Sequence, residues 1–200
     1  MPPADHQKAV TYTTYLKVDE LLSLQEPLSD GPEHDELLFI TIHQVYELWF
    51  QQILHELSAL QPALENGDTH RSLALLGRVR SIMKTCVQQI DVLETMTPLQ
   101  FQSSRSRLSS ASGFQSAQFR EVEAVLGRRD HAGEKAQEGT GMKMAEHLVP
   151  GSSARNRVEA AMARPSVWDS ALRYCHVRGH EMPQDVLERD VTVSWEPRED

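Results

Sequence analysis

The side chain best placed to do chemistry is His43. It stands inside PEHDELLFITIHQVYELWFQQILHELSAL, residues 32–60, among apolar neighbours at helical intervals. Four residues back is Phe39 and three back is Ile40; forward come Tyr46, Phe50, Leu54 and Leu57. An imidazole on such a face is either a core histidine hydrogen-bonded to a neighbour or a polar contact in a ligand pocket walled by aromatic rings. Spacing alone leaves both readings open. A second group is Arg105 with Arg107, beside a Ser/Gly turn that leads into FQSAQFREVEAVLG. Guanidinium groups near a helix start suit an anion, or else are solvated surface charges.

Other chemistries are disfavoured by their spacing. His55-Glu56 is followed by Leu57, Ser58 and Ala59, and His180-Glu181 by Met182, Pro183 and Gln184, so neither completes the His-Glu-x-x-His pattern of a zinc protease. Cys86 and Cys175 are far apart and each falls in an expected helix. They indicate neither a disulfide framework nor a cysteine zinc site, and are expected as buried thiols. The sequence contains no Gly-rich phosphate loop, no nucleophile elbow and no internal repeat.

The elements that must position these residues are helices. For the His43 helix, Ser29 or Asp30 is the expected cap, Pro32 suits the first turn, and Glu33, Asp35 and Glu36 complement the dipole; the end is expected near Pro62 or at Asn66-Gly67. Before it, TYTTYLKVDELLSLQ reads as one short amphipathic helix, either docked on the core or acting as a lid or exchanged arm. After it, a helix opens at Asp68 or Thr69 with Leu76, Val79, Met83, Cys86, Ile90 and Leu93 as a bundle seam, ending at Met96-Thr97-Pro98. FQSAQFREVEAVLG is expected to turn Phe119, Val122, Val125 and Leu126 inward and to end at Gly127. Further helices are expected at 142–148, 153–163 and 167–178, the last carrying Val167, Trp168, Ala171, Leu172 and Cys175 at helical spacing and stopped by Gly179.

Two hundred residues with 40% hydrophobic content can bury a core, and one all-α domain is expected, with a flexible N-terminus (1–10), an exposed loop (128–140) and a poorly structured tail (180–200). A formal net charge of −9 without a clustered basic patch argues against nucleic acid or an anionic membrane as partner. No apolar run approaches the roughly 20 residues that span a bilayer, and the first ten residues have no signal pattern, so a cytoplasmic location is expected.

The blocks TYTTYLKVDELLSLQEPLSDGPEHDELLFITIHQVYELWF, LETMTPLQF and SASGFQSAQFREVEAVLG, and more loosely PSVWDSALRYCHVRGHEMPQDVLERD, resemble the tryptophan 2,3-dioxygenases, haem enzymes that open the indole ring of tryptophan. The resemblance implies an all-α helix bundle, haem b, L-tryptophan and O2 as substrates, N-formylkynurenine as product and a homotetramer. The substrate-binding run would be Phe39, Ile40, Thr41, Ile42 and His43, with Phe39 on the substrate ring and His43 accepting a hydrogen bond from the indole N–H. Arg105 matches the arginine that grips the substrate carboxylate, a role suited to its forked geometry. Ser112 and Gly113 match the loop at the haem edge, and Tyr12, Tyr15 and Leu16 match a segment that enters a neighbouring subunit's site.

Some positions depart from the family pattern. Phe101 stands where many members have tyrosine, Ser104 replaces an aromatic residue, and Ser110 replaces a proline. The family's haem-binding histidine lies in a later helix than any here, and His176 and His180 do not occupy its motif. No iron ligand is therefore expected in this chain: the proximal histidine is expected beyond Asp200, and the chain reads as lacking the C-terminal helices. An inactive helical subunit binding a partner chain or indole, and a related haem enzyme acting on another indole, are the alternatives.

Overall fold

The structure, a computed structural model, describes residues 10–29, 31, 33–97, 115–129 and 145–192. Eight helices and no strand occur among them: α1 Tyr12–Leu16, α2 Val18–Leu22, α3 His34–Glu65, α4 Thr69–Leu93, α5 Ala117–Leu126, α6 Ser153–Met162, α7 Val167–Val177 and α8 Gln184–Leu187. The fold is all-α, as the resemblance implies. None of these helices is long and apolar enough to cross a membrane.

Helix α3 is the axis of the arrangement. Its 32 residues make a rod of roughly 48 Å, and α4, α5 and α7 all pack on it, while α6 packs on α5. The apolar stripe of its second half explains this: Ile53, Leu57, Leu60 and Leu64 meet Val79 and Ile82 of α4 and Val122 of α5. A smaller cluster joins Ala124 of α5 to Leu148, Val158 and Ala161. Helix α3 runs through Pro62, and the chain then turns at Asn66-Gly67. Gly67 has φ +71, and a Cβ there would sit 2.9 Å from Val177 Cγ1 at the end of α7. Both the backbone angle and the close approach call for glycine. Asp68 then caps α4, accepting from the Arg71 N–H.

Several expectations are corrected. The arm is two helices, because Lys17 adopts a left-handed conformation (φ 50) between them. Ser29 does not cap α3: Glu33 is the N-cap residue and its side chain makes no capping hydrogen bond, and Asp30 and Pro32 lie outside the described residues. Helix α4 ends at Leu93, ahead of Met96-Thr97. Along its seam Val79 is buried as expected, but Ile82 is buried more deeply than Met83, and Leu76 and Ile90 stay exposed. In α5 it is Arg120, Val122 and Ala124 that are buried, while Phe119 and Leu126 are exposed. Trp168 of α7 faces out. Residues 145–147 form a turn, not a helix. Both cysteines are only partly buried. The segment after residue 180 is more organised than expected: it holds α8, and Arg189 pairs with the buried Asp169 at 2.5 Å. That order reaches residue 192, and the rest of the expected tail, to Asp200, lies outside the described residues. The segments expected as a flexible N-terminus (1–10) and an exposed loop (128–140) also fall largely outside them.

Candidate functional site

Phe39 and His43 are one turn apart on α3, so their side chains share a face. Their ring centroids lie 4.1 Å apart with a 37° tilt. His43 Nδ1 sits 2.8 Å from the Phe39 carbonyl oxygen. A carbonyl has no proton to give, so Nδ1 is the N–H donor, and in the neutral ring Nε2 is left with its lone pair as an acceptor. The aromatic face continues along the helix. Tyr46 stacks on Phe50 at 5.9 Å, and Phe50 meets Phe119 of α5 at 5.3 Å.

Hydrogen bonds from three directions hold this part of α3. Tyr46 Oη donates to the Cys86 carbonyl (2.9 Å) and Gln89 Nε2 donates to the Ile42 carbonyl (3.0 Å), both across the α3–α4 contact. From α5, Gln118 Nε2 donates to the carbonyl and the carboxylate of Glu47, at 3.0 and 2.7 Å. On the arm side, the Glu36 carboxylate accepts from the Leu28 and Ser29 N–H groups (2.7 and 3.1 Å), and Gln44 bonds Leu24 and Gln25. Burial pushes the Tyr46 phenol above its ordinary value, with Cys86 adding to the effect. Burial likewise raises the Cys86 thiol. Both groups therefore stay protonated at neutral pH.

The substrate run is divided by helical geometry. Phe39, Ile40 and His43 are partly buried, Thr41 is exposed, and the Ile42 side chain is buried. On the arm, Tyr12 and Tyr15 are each 77% exposed and Leu16 is exposed as well. Phe101, Arg105, Ser112 and Gly113 lie outside the described residues. Among the described residues, no three His, Cys, Asp or Glu side chains come together to hold a metal ion. Sequence reasoning treated Glu36 only as a charge near a helix start and missed Gln44, Gln89 and Gln118. Their partners are up to 71 residues away, and helical spacing carries no signal for such contacts.

A cleft of about 470 Å³ opens near the other end of α3, lined by Leu54, Gln61, Glu65, Glu121, Arg164 and Arg173 among others. Gln61 lies 18 residues beyond His43, roughly 27 Å along the helix. Two arginines contact acids of this cleft, Arg173 with Glu65 at 3.9 Å and Arg157 with Glu121 at 3.5 Å.

Comparison with known proteins extends the earlier resemblance over nearly the whole chain. A family model described as tryptophan 2,3-dioxygenase matches residues 2–200. A tryptophan 2,3-dioxygenase of Anaeromyxobacter sp. (strain K) is 53% identical over 195 residues, which are 98% of this chain and 68% of that protein. One from Herpetosiphon aurantiacus is 51% identical over 187 residues, 94% of this chain and 67% of the relative. One from Anaeromyxobacter dehalogenans is 52% identical over 181 residues, 90% and 63% respectively. The chain, up to Asp200, spans about two thirds of the length of these curated relatives.

Proposed function

This chain belongs to the tryptophan 2,3-dioxygenase family, a haem-dependent family that acts on tryptophan and O2, and from that premise we propose that it takes part in oxidative opening of the L-tryptophan indole ring to N-formylkynurenine. Its own contribution is the distal, substrate-holding wall. The observation that carries this reading is the His43 tautomer: Nδ1 is occupied by the Phe39 carbonyl, so Nε2 is an acceptor of the kind an indole N–H needs. Phe39, at 4.1 Å from that ring, supplies a flat surface beside it for the indole plane.

The residues present fit one side of a haem pocket. Phe39, Ile40 and His43 would line it, and none of the described residues is assigned as the iron's ligand. When bound, haem supplies the redox-active iron on which O2 is activated. His43 orients the substrate by holding the indole proton, and no proton transfer to it is required. Arg105 would pair with the substrate carboxylate through two parallel hydrogen bonds, fixing the amino acid end while His43 and Phe39 fix the ring. Ser112 and Gly113 would border the haem edge, and Phe101 would pack near the carboxylate. Tyr12, Tyr15 and Leu16 would close the site of a neighbouring copy in a homotetramer, a role their exposure permits.

The test is to supply the purified chain with haemin, a reductant, O2 and tryptophan, and to measure both N-formylkynurenine and calorimetric tryptophan binding. The expected result is tryptophan binding by the chain, weakened by about tenfold in His43→Ala, the worth of one hydrogen bond. No product and no tryptophan binding, in a folded and haem-loaded chain, would overturn the proposal.

A further inference from the structure

Glu36 is 4% exposed, so its carboxylate has lost most of its water and needs donors in return. It finds two in consecutive backbone amides, Leu28 N–H at 2.7 Å and Ser29 N–H at 3.1 Å. Gln44 makes a second attachment: its Nε2 donates to the Leu24 carbonyl at 2.9 Å, and its Oε1 accepts from Gln25 Nε2 at 2.6 Å. Gln25 in turn donates to the Leu21 carbonyl at 3.0 Å, tying the attachment to the end of α2. The two anchors are eight residues apart, roughly 12 Å along a helix. The four-residue step from Leu24 to Leu28 spans roughly 13 Å when extended. The lengths match, so residues 24–29 run back along α3 from Gln44 to Glu36.

That path follows the Glu36, Ile40, Gln44 row of α3, which is one residue from the Phe39 and His43 row. The root of the arm therefore borders the proposed substrate face. Apolar burial does little to hold it there, since Leu24 and Leu28 are 61% and 67% exposed. The attachments read mostly main-chain atoms, so they specify the path of the chain and not the identity of its side chains. Beyond them the arm presents Leu22, Leu21, Tyr15 and Tyr12 to the outside.

We propose that Glu36 and Gln44 are positioning residues that fix the root of the arm beside the substrate face, so that the arm leaves α3 on the path that reaches a neighbouring copy. This rests on the reading that the arm completes a neighbour's site. A charge-assisted grip on two amides is the stronger anchor, and Gln44 sets the direction in which α2 and α1 depart.

The experiment compares the full 200-residue chain with Glu36→Ala, Glu36→Gln, Gln44→Ala and the Glu36→Ala/Gln44→Ala pair. Amide hydrogen exchange is read at residues 24–29 and, as a control, at residues 53–64. In Glu36→Ala the Leu28 and Ser29 amides are expected to exchange at least about tenfold faster, the scale of a lost charge-assisted hydrogen bond, with residues 53–64 unchanged. Glu36→Gln should fall between, because its amide group can accept from one N–H but turns a donor towards the other. Unchanged exchange at Leu28 and Ser29 would overturn the inference. Sedimentation then reads the assembly: the paired variant is expected to associate about tenfold more weakly than wild type, and an unshifted equilibrium would also overturn it. Deletion of residues 1–16 separates the two ideas. If that deletion leaves assembly and tryptophan binding unchanged, the arm-exchange reading fails even though the exchange data show the anchors intact.

Discussion

The two halves of α3 are held in place by different physics. From Ile53 onwards the helix is fastened by area: Ile53, Leu57 and Leu60 are at most 1% exposed, and they meet side chains of α4 and α5 in one apolar cluster. Before Trp49, only Glu36 and Ile42 are buried, and the fastenings are hydrogen bonds from α4, α5 and the arm. Burial stabilises in proportion to area and leaves no room. Hydrogen bonds hold a backbone at points and leave the faces between them open. A wall that must receive a ligand needs the second kind of fastening, and a continuous helix lets the packed half fix the direction of the open one.

The comparison breaks most readily at its packed end. Leu57→Ala removes a side chain surrounded on all sides and is expected to cost about 3 kcal/mol, within the usual range for a buried leucine. Phe39→Ala, at a position that is only partly buried, is expected to cost less, about 2 kcal/mol, because part of the ring already meets water and its removal leaves no closed cavity. Urea unfolding of both variants measures the difference. Equal losses would mean that the open half is packed after all.

A smaller effect tests what holds α7 against the packed half. Asp169 caps that helix reciprocally with Ser166: its carboxylate accepts the Ser166 N–H and hydroxyl at 2.7 and 2.6 Å, and Arg189 donates to its other oxygen. Burial acts to raise its pKa, but the Ser166 hydrogen bonds and Arg189 outweigh it, so the carboxyl lies below its ordinary 3.8. The ionised form is thus favoured in the folded state. Its stabilisation is full above the unfolded value and is lost as pH falls through the folded one. Asp169→Ala is expected to cost about 2 kcal/mol at pH 7. The gap from wild type should hold from pH 7 to about 5 and close below about pH 4, as unfolding at a series of pH values would show. A gap independent of pH would remove the charge from the explanation.

The same division explains what the sequence made legible. Helical periodicity located α3, α4, α5, α6 and α7 and the turn at Asn66-Gly67, since local spacing and capping are written in neighbouring residues. The resemblance pointed to Phe39 and His43 as a pair, and the structure sets their rings 4.1 Å apart. What escaped was the polar bracing. Glu36 looked like a helix-dipole charge, and its real partners are backbone amides of the preceding segment. Gln89 and Gln118 are ordinary exposed-type residues whose value lies in which carbonyl they reach across 47 and 71 residues. The break at Lys17 was equally hidden, because the apolar spacing of the arm runs through it without interruption.

On the open half, Tyr46→Phe isolates one brace. It keeps the ring that stacks on Phe50 and removes only the hydroxyl that donates to the Cys86 carbonyl. The expected loss is about 1 kcal/mol in urea unfolding, typical of a single neutral hydrogen bond. A loss near that of Leu57→Ala would show that this brace is coupled to the others, and removing Gln89 in the same chain would then give less than the sum of the two.

The smallest effect is expected at Lys17, where the arm bends. A left-handed backbone costs an L-residue about 1 kcal/mol, and Lys17 bears it with φ 50 between two five-residue helices. Glycine removes that cost but gives back about 0.5–1 kcal/mol through the freedom it adds to the unfolded arm. Lys17→Gly should therefore leave the exchange of the α1 and α2 amides within about twofold of wild type. Lys17→Val, whose branched Cβ makes the left-handed region still harder to occupy, should speed their exchange by about fivefold while residues 53–64 stay unchanged. If valine instead slowed it, the two short helices would have merged into the single helix that the sequence spacing suggests. The bend would then be a preference of Lys17 alone, with the anchors at Glu36 and Gln44 the only features that set the arm's course.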